Sequence, residues 1–212
     1  MIEAVTEKNT RTYEVIRALA TVVFHTLMPV RFHNAERLQK EPPILLIANH
    51  QHALDPVAMA LAFKKTQVVF LGKKELGKNP WFRKILTRLH CILVDRHNTD
   101  MEAMRACMKA IRMKKVLVIF PEGTRHHEGQ MEQIENGTSL IALRGRAPVI
   151  PMYFDKPLKW FRVTNIYVGE PIPYDDLLAE GINTETCEKM NERMRETYRK
   201  MIREVQAGEK KK

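Results

Sequence analysis

A chain of 212 residues, 44% hydrophobic and 28% charged, is ordinary for a globular protein and long enough to bury one core. Its 35 Lys+Arg against 25 Asp+Glu leave a net charge of +10, which points to an anionic partner: nucleic acid, a phosphorylated small molecule or an acidic membrane surface. Three widely spaced cysteines, Cys91, Cys107 and Cys187, form neither a disulfide framework nor a metal-binding spacing, and they fit a reducing compartment.

Met1 to Arg11 is polar and mixed in charge, so it is not a secretory leader. Ala18 to Val30 is uncharged, is bounded by Arg17 and Arg31, and is shorter than the ~20 apolar residues a bilayer span needs. It reads as a helix, either packed in the core or lying on a membrane surface. Residues 1–35 are therefore set apart as a helical segment and candidate membrane anchor. One α/β domain is expected over 36–207, and a basic tail over 208–212 carries Lys210, Lys211 and Lys212.

Apolar, β-branched-rich runs predict strands at Ile44–Ala48, Gln67–Leu71, Cys91–Val94, Val116–Phe120, Val149–Phe154 and Asn165–Val168. Helical patterns lie between most of them, at Val57–Lys65, Trp81–Leu89, Met101–Met113 and Ser139–Arg144. This rhythm predicts a single α/β domain with a mostly parallel central sheet flanked by helices. A long last helix runs from about Thr184 to Val205, and Met190, Met194, Tyr198, Ile202 and Val205 give it one packed face.

Chemistry concentrates after the first of these strands, in Ala48-Asn49-His50-Gln51-His52-Ala53-Leu54-Asp55-Pro56. His50 and Asp55 stand five positions apart, the wrong spacing for one helix face. They meet only where the chain turns, as at a strand-to-helix corner, and such corners carry much α/β chemistry. Asp55 before Pro56 also reads as a helix start, with aspartate as N-cap and proline at the first helical position. His50, His52 and Asp55 loosely match a zinc ligand set as well, though no second tight set follows, and His126-His127-Glu128 is an isolated polar triplet.

Three more predicted strands end in charged residues. Lys73 and Lys74 follow the second, Asp95 and Arg96 the third, and Pro121-Glu122-Gly123-Thr124-Arg125 the fourth. Each taken alone is a surface ion pair or turn. Together with His50 and Asp55 they converge on one predicted sheet edge, where open α/β sheets bind ligands.

The order His-x4-Asp, Val-Asp-Arg, Phe-Pro-Glu-Gly-Thr-Arg and Ala-Pro-Val-Ile-Pro-Met resembles the four-motif pattern of the glycerolipid acyltransferases, over roughly Ile44 to Phe154. In length and motif wording the chain is most similar to the bacterial 1-acylglycerol-3-phosphate acyltransferases. The resemblance implies His50 as general base and Asp55 as the carboxylate that orients it. It sets Glu122, Gly123, Thr124 and Arg125 around the acceptor, with Arg125 on its phosphate, and makes Lys73, Lys74 and Arg96 further phosphate contacts. Pro148 to Pro151 would shape a pocket. Two departures stand out: His52 occupies a position where the family usually carries serine, and Ile134-Glu135-Asn136-Gly137 replaces a common Lys-Lys-Gly stretch.

The implied reaction moves an acyl group from acyl-CoA or acyl-carrier protein to the sn-2 hydroxyl of a lysophospholipid acceptor, 1-acyl-glycerol-3-phosphate. An imidazole suits removal of the hydroxyl proton because it titrates near working pH. Asp55 would fix its tautomer, as in a serine-hydrolase triad whose serine is replaced by the substrate hydroxyl. The oxyanion donors would come from backbone N–H groups near Gly123 or in the corner after His50. No cofactor, no metal and no nucleic-acid partner are implied. An anionic membrane surface is, with peripheral association at the cytoplasmic side through the Ala18–Val30 segment, Trp81-Phe82 and Trp160-Phe161. Three alternatives stay open: another lysophospholipid or glycerol 3-phosphate as acceptor, a zinc-dependent hydrolase using His50, His52 and Asp55, and a charge-driven nucleic-acid or phospholipid-binding module.

Overall fold

The computed structural model describes residues 4–38, 41–63, 66–95, 100–124 and 131–209. Seven strands form one sheet: β1 (Val30–His33), β2 (Ile44–Ala48), β3 (Val68–Lys73), β4 (Cys91–Val94), β5 (Val116–Ile119), β6 (Val149–Phe154) and β7 (Thr164–Val168). Their order is β1-β7-β6-β2-β5-β3-β4. All neighbours pair in parallel except β6 and β7. Strands β2 to β6 therefore share a direction, and their C-terminal ends form one edge.

Strands β2, β5 and β6 are buried at every position, as continuous apolar runs covered on both faces require. Alternation along β2 divides the core. Leu45 and Ile47 meet residues such as Ala103 and Cys107 of α4 (Met101–Arg112), Ile141 of α5 (Asn136–Gly145) and Met194 of α7 (Thr184–Glu209). Leu46 and Ala48 point to the other face, against Ala20 and Phe24 of α1 (Arg11–Thr26) and Met59 of α2 (Asp55–Ala60). Helix α3 (Pro80–Arg88) starts at Asn79, whose Oδ1 accepts from the N–H groups of Trp81 and Phe82. The short α6 (Asp175–Ala179) precedes α7.

The fold is the α/β sheet with flanking helices and long final helix that the sequence predicts. Its details differ where local signals were weak. The first helix begins at Arg11 and ends at Thr26, because Pro29 stops it; Val30 instead opens β1, which pairs with β7. The helix expected over Val57–Lys65 is only the six residues Asp55–Ala60. The second predicted strand extends past Leu71 to Lys73, so Lys73 belongs to the sheet. Ahead of α1, Ala4 and Val5 are buried, and Lys109 Nζ donates to Val5 O at 2.9 Å.

Candidate active site

The site begins where β2 ends. Asn49 carries the pairing with β6 one step further through its side chain: its Oδ1 accepts from Phe154 N at 2.8 Å and its Nδ2 donates to Phe154 O at 3.1 Å. Tyr198 of α7 supports the strands beneath, its hydroxyl lying 2.7 Å from Ile47 O and 3.0 Å from Met152 O. The chain then enters a corner in which successive N–H groups are held by carboxylates. His50 N donates to Glu122 Oε2 at 3.3 Å, and Gln51 N and His52 N each donate to Asp55 Oδ2 at 2.7 Å.

The same Asp55 oxygen lies 3.0 Å from His50 Nδ1. Asp55 is fully buried, and the His50 side chain is 16% exposed. A carboxylate accepting at Nδ1 places the proton there and leaves the lone pair on Nε2. The His50 ring stacks on Phe120, with centroids 4.2 Å apart at 27°, which fixes its remaining freedom. One oxygen thus gathers the His50 ring and the two N–H groups after it. That is a preorganised pair.

The helix-cap expectation for Asp55 needs correction. Leu54 is the N-cap of α2, Asp55 is its first residue, and the carboxylate turns back onto the preceding loop. The reason is local supply: the N–H groups of Gln51 and His52 are already presented to it. His52 does part of the capping instead, its Nδ1 accepting from Leu54 N at 3.2 Å, as a serine hydroxyl does in a short turn. Its imidazole is thereby engaged in the turn. Among the described residues no three His, Cys, Asp or Glu side chains converge as a metal site.

Glu122 is 6% exposed, and its second oxygen, Oε1, accepts from Met131 N at 3.2 Å. Its carboxylate is thus bonded to backbone on both sides and ties the His50 corner to the chain beyond the Phe-Pro-Glu-Gly-Thr segment. Gly123 follows with φ of 68°, and a Cβ there would meet Glu135 at 3.0 Å. Gly123 N donates to Phe120 O at 3.0 Å and Thr124 N to Glu122 O at 2.7 Å. The expected oxyanion donors are therefore spent: the N–H groups of His50, Gln51, His52, Gly123 and Thr124 all have protein acceptors.

His50, Lys73, Gly123 and Thr124 line one cavity of about 360 Å³. The rest of its walls are mainly apolar, with Ile16 of α1, Val57 of α2 and Leu61 just past it, and Phe82 and Leu86 of α3, while Tyr13 and Arg17 of α1 add polar groups. Cys91 lines it too, but burial pushes that thiol up to about 12, and Cys107 likewise, so neither is a thiolate at neutral pH. Lys73 reaches the cavity from the end of β3. Lys74 is turned away to the surface, 3.5 Å from Asp95, a pair of little energetic weight. Arg96 and Arg125 lie outside the described residues, as do His126, His127 and Glu128.

Sequence reasoning missed Asn49, Phe120 and Tyr198 as parts of the site. Asn49 had a signal, a polar residue closing an apolar strand immediately before His50. Phe120 and Tyr198 had none beyond apolar spacing.

Comparison with known proteins gives a family and a fold. Residues 29–155 match the profile of the Acyltransferase family. The chain is 25% identical over 180 residues to the 1-acyl-sn-glycerol-3-phosphate acyltransferase of Bacillus subtilis, covering 81% of this chain and 89% of that protein. It is 29% identical over 184 residues to a putative enzyme of the same name from Caenorhabditis elegans, covering 81% of this chain and 64% of the relative. The crystal structure of the 1-acyl-sn-glycerophosphate acyltransferase PlsC of Thermotoga maritima superposes with a TM-score of 0.68 at 21% identity, over 92% of this chain and 80% of that one. Since the profile spans more than half of its length, the chain belongs to the acyltransferase family.

Proposed function

We propose that this protein transfers a fatty acyl group from an acyl thioester to the sn-2 hydroxyl of 1-acyl-glycerol-3-phosphate, giving phosphatidate. One observation carries the reading: His50 Nδ1 sits 3.0 Å from buried Asp55 on a residue that lines a largely apolar cavity. The acceptor hydroxyl gives its proton to His50 Nε2 as its oxygen attacks the thioester carbonyl. The tetrahedral intermediate collapses, the C–S bond breaks, and the thiolate takes the proton back from the imidazolium. Asp55 stabilises that imidazolium and holds its orientation.

No acyl-enzyme is needed. The raised thiols of Cys91 and Cys107 support that view, since a nucleophilic cysteine works as the thiolate. Lys73 at the cavity rim provides a cation for the acceptor phosphate; the family resemblance assigns Arg96 and Arg125 to the same phosphate. The long apolar walls suit an acyl chain. The names of the relatives favour lysophosphatidate as the acceptor.

The enzyme works peripherally on an anionic bilayer, at the cytoplasmic side where acyl-CoA and acyl-carrier protein are found. Val15, Leu19 and Val22 repeat along the outer side of α1 at 58%, 63% and 61% exposure. Trp81 on α3 is 72% exposed and Phe161, whose N–H donates to Leu27 O just past α1, is 77% exposed. No helix among the described residues is long and apolar enough to cross a membrane. Such a surface, beside a net charge of +10, fits interfacial binding. Flotation with vesicles containing anionic lipid is expected to carry the protein upward; an equal distribution with and without vesicles would refute membrane association.

The deciding experiment is an acyl-transfer assay across lysophosphatidate, glycerol 3-phosphate and other lysolipids. Lysophosphatidate is expected to be the preferred acceptor. Preference for another acceptor would replace the substrate assignment, and absence of transfer to any of them would end the acyltransferase reading.

A further inference from the structure

His52 takes no part in the proposed reaction, yet it stands inside the His50 corner, where the family resemblance expects serine. It closes the turn His52-Ala53-Leu54-Asp55 in three ways. His52 O accepts from Asp55 N at 3.1 Å, His52 N donates to Asp55 Oδ2 at 2.7 Å, and His52 Nδ1 accepts from Leu54 N at 3.2 Å. The last bond runs to the N–H two residues on, the pattern that serine and asparagine side chains make in turns. Leu54 is the N-cap of α2 and Asp55 its first residue, so this turn sets where the carboxylate sits. The same Asp55 oxygen also holds His50 Nδ1 and Gln51 N. A turn that loosens at His52 therefore loosens the imidazole of His50.

The two imidazoles have opposite requirements. Nδ1 of His50 faces a carboxylate and carries a proton, so a second proton on Nε2 leaves that bond in place. Nδ1 of His52 faces a backbone N–H, which can only donate, so it has to be bare. The bond fixes a neutral ring with its proton on Nε2. An imidazolium at position 52 would set N–H against N–H and undo one of the three closures. A serine hydroxyl takes up no such proton.

We infer that His52 is a positioning residue that holds Asp55 on His50 only while its own ring is neutral, an inference that rests on the acyl-transfer reading above. Acid then acts on turnover twice: it takes His50 out of service as a base, and it releases the turn that orients that base. The charged and titratable groups around the turn are Asp55 and His50 within the corner and Glu122 at His50 N. Arg17 of α1 and Lys73 of β3 line the cavity that Ala53 also lines. All of them are kept in His52→Ser, and the acceptor phosphate is the same for both proteins. A difference between the two pH profiles therefore belongs to the ring at position 52.

The test is the pH profile of kcat for the wild type, His52→Ser, His52→Asn and His52→Leu, with lysophosphatidate and palmitoyl-coenzyme A and with melting temperatures followed over the same range. At pH 8, His52→Leu has no acceptor for Leu54 N and is expected to lose about tenfold in kcat with lysophosphatidate KM kept. His52→Ser and His52→Asn supply an oxygen there and are expected to restore kcat. On the acid limb, wild-type kcat is expected to approach about a hundredfold loss per pH unit, the mark of two protonations, against about tenfold for His52→Ser and His52→Asn. Parallel acid limbs in the wild type and His52→Ser would overturn the inference, whether or not His52→Leu folds. Full kcat at pH 8 in folded His52→Leu would overturn it too. A wild type that transfers to no acceptor would instead end the acyl-transfer reading, so the two failures are distinct.

Discussion

The His50 corner and the rim around Lys73 face the same cavity but are built in opposite ways. In the corner, the N–H groups of residues 50, 51 and 52 end on two buried carboxylates, and Asn49 and Tyr198 brace the strands below. At the rim, Lys73 is exposed at a strand end, and the wall from α1 and α3 is mainly apolar, with Ile16, Phe82 and Leu86 beside Tyr13 and Arg17. The difference fits the proposed division of work. A base has to be held to within a fraction of an ångström, and such precision comes from locked hydrogen bonds. A lipid chain needs only apolar volume, which tolerates looseness.

The comparison is broken most severely at Asp55. Asp55→Asn keeps the shape and can keep its oxygen toward the three donors that converge on Oδ2, but it removes the negative charge that stabilises the imidazolium. Turnover is expected to fall by about 10²–10⁴ while lysophosphatidate KM changes little. A variant with near-normal kcat would mean that the corner does not direct the base. Next comes Glu122. Its resemblance-based role is acceptor binding, whereas its oxygens hold the backbone of His50 and Met131. Glu122→Gln leaves one of those N–H groups facing an amide donor, and we expect kcat to drop about tenfold with acceptor KM nearly unchanged. A large rise in acceptor KM with kcat intact would instead return Glu122 to the substrate.

A smaller effect is expected away from both regions. His90 is fully buried, its Nδ1 2.9 Å from Ala4 O and its Nε2 3.2 Å from Gln67 Nε2. Burial is the main cause that lowers its pKa below the ordinary value. The folded state therefore favours the neutral ring, while the unfolded chain takes up a proton near pH 6.5. Stability from this site is complete above that pH and declines as pH falls toward the lower folded value. Melting temperatures at pH 7.5 and pH 5 are expected to differ more for the wild type than for His90→Gln; equal differences would remove His90 from the pH response.

Much of this was legible in the sequence, and the reasons are physical. The run Ile44–Ala48 is apolar at every position because β2 is covered on both faces, and the corner after it carries His50 and Asp55 at a spacing only a turn can close. Chain direction was not legible. Thr164–Val168 reads as a strand, but nothing in five residues says that it runs against β6. The four residues of β1, partly exposed and sitting just past Pro29, look like the end of a helix. Tyr198 was recognised as a packing residue, yet its hydroxyl bond to Ile47 O joins positions 151 apart, which no local pattern reports. Asp-Pro reads as a helix start as readily as a partner for His50; only the placement of the loop N–H groups shows which way the carboxylate turns.

The central claim is that the locked corner does the chemistry and the open rim binds. Steady-state kinetics of His50→Ala and Lys73→Ala with lysophosphatidate and one acyl donor test it most directly. The account predicts that His50→Ala loses about 10²–10⁴ in kcat with its fold and acceptor KM retained, whereas Lys73→Ala raises acceptor KM and keeps kcat. Near-normal kcat in folded His50→Ala would contradict it.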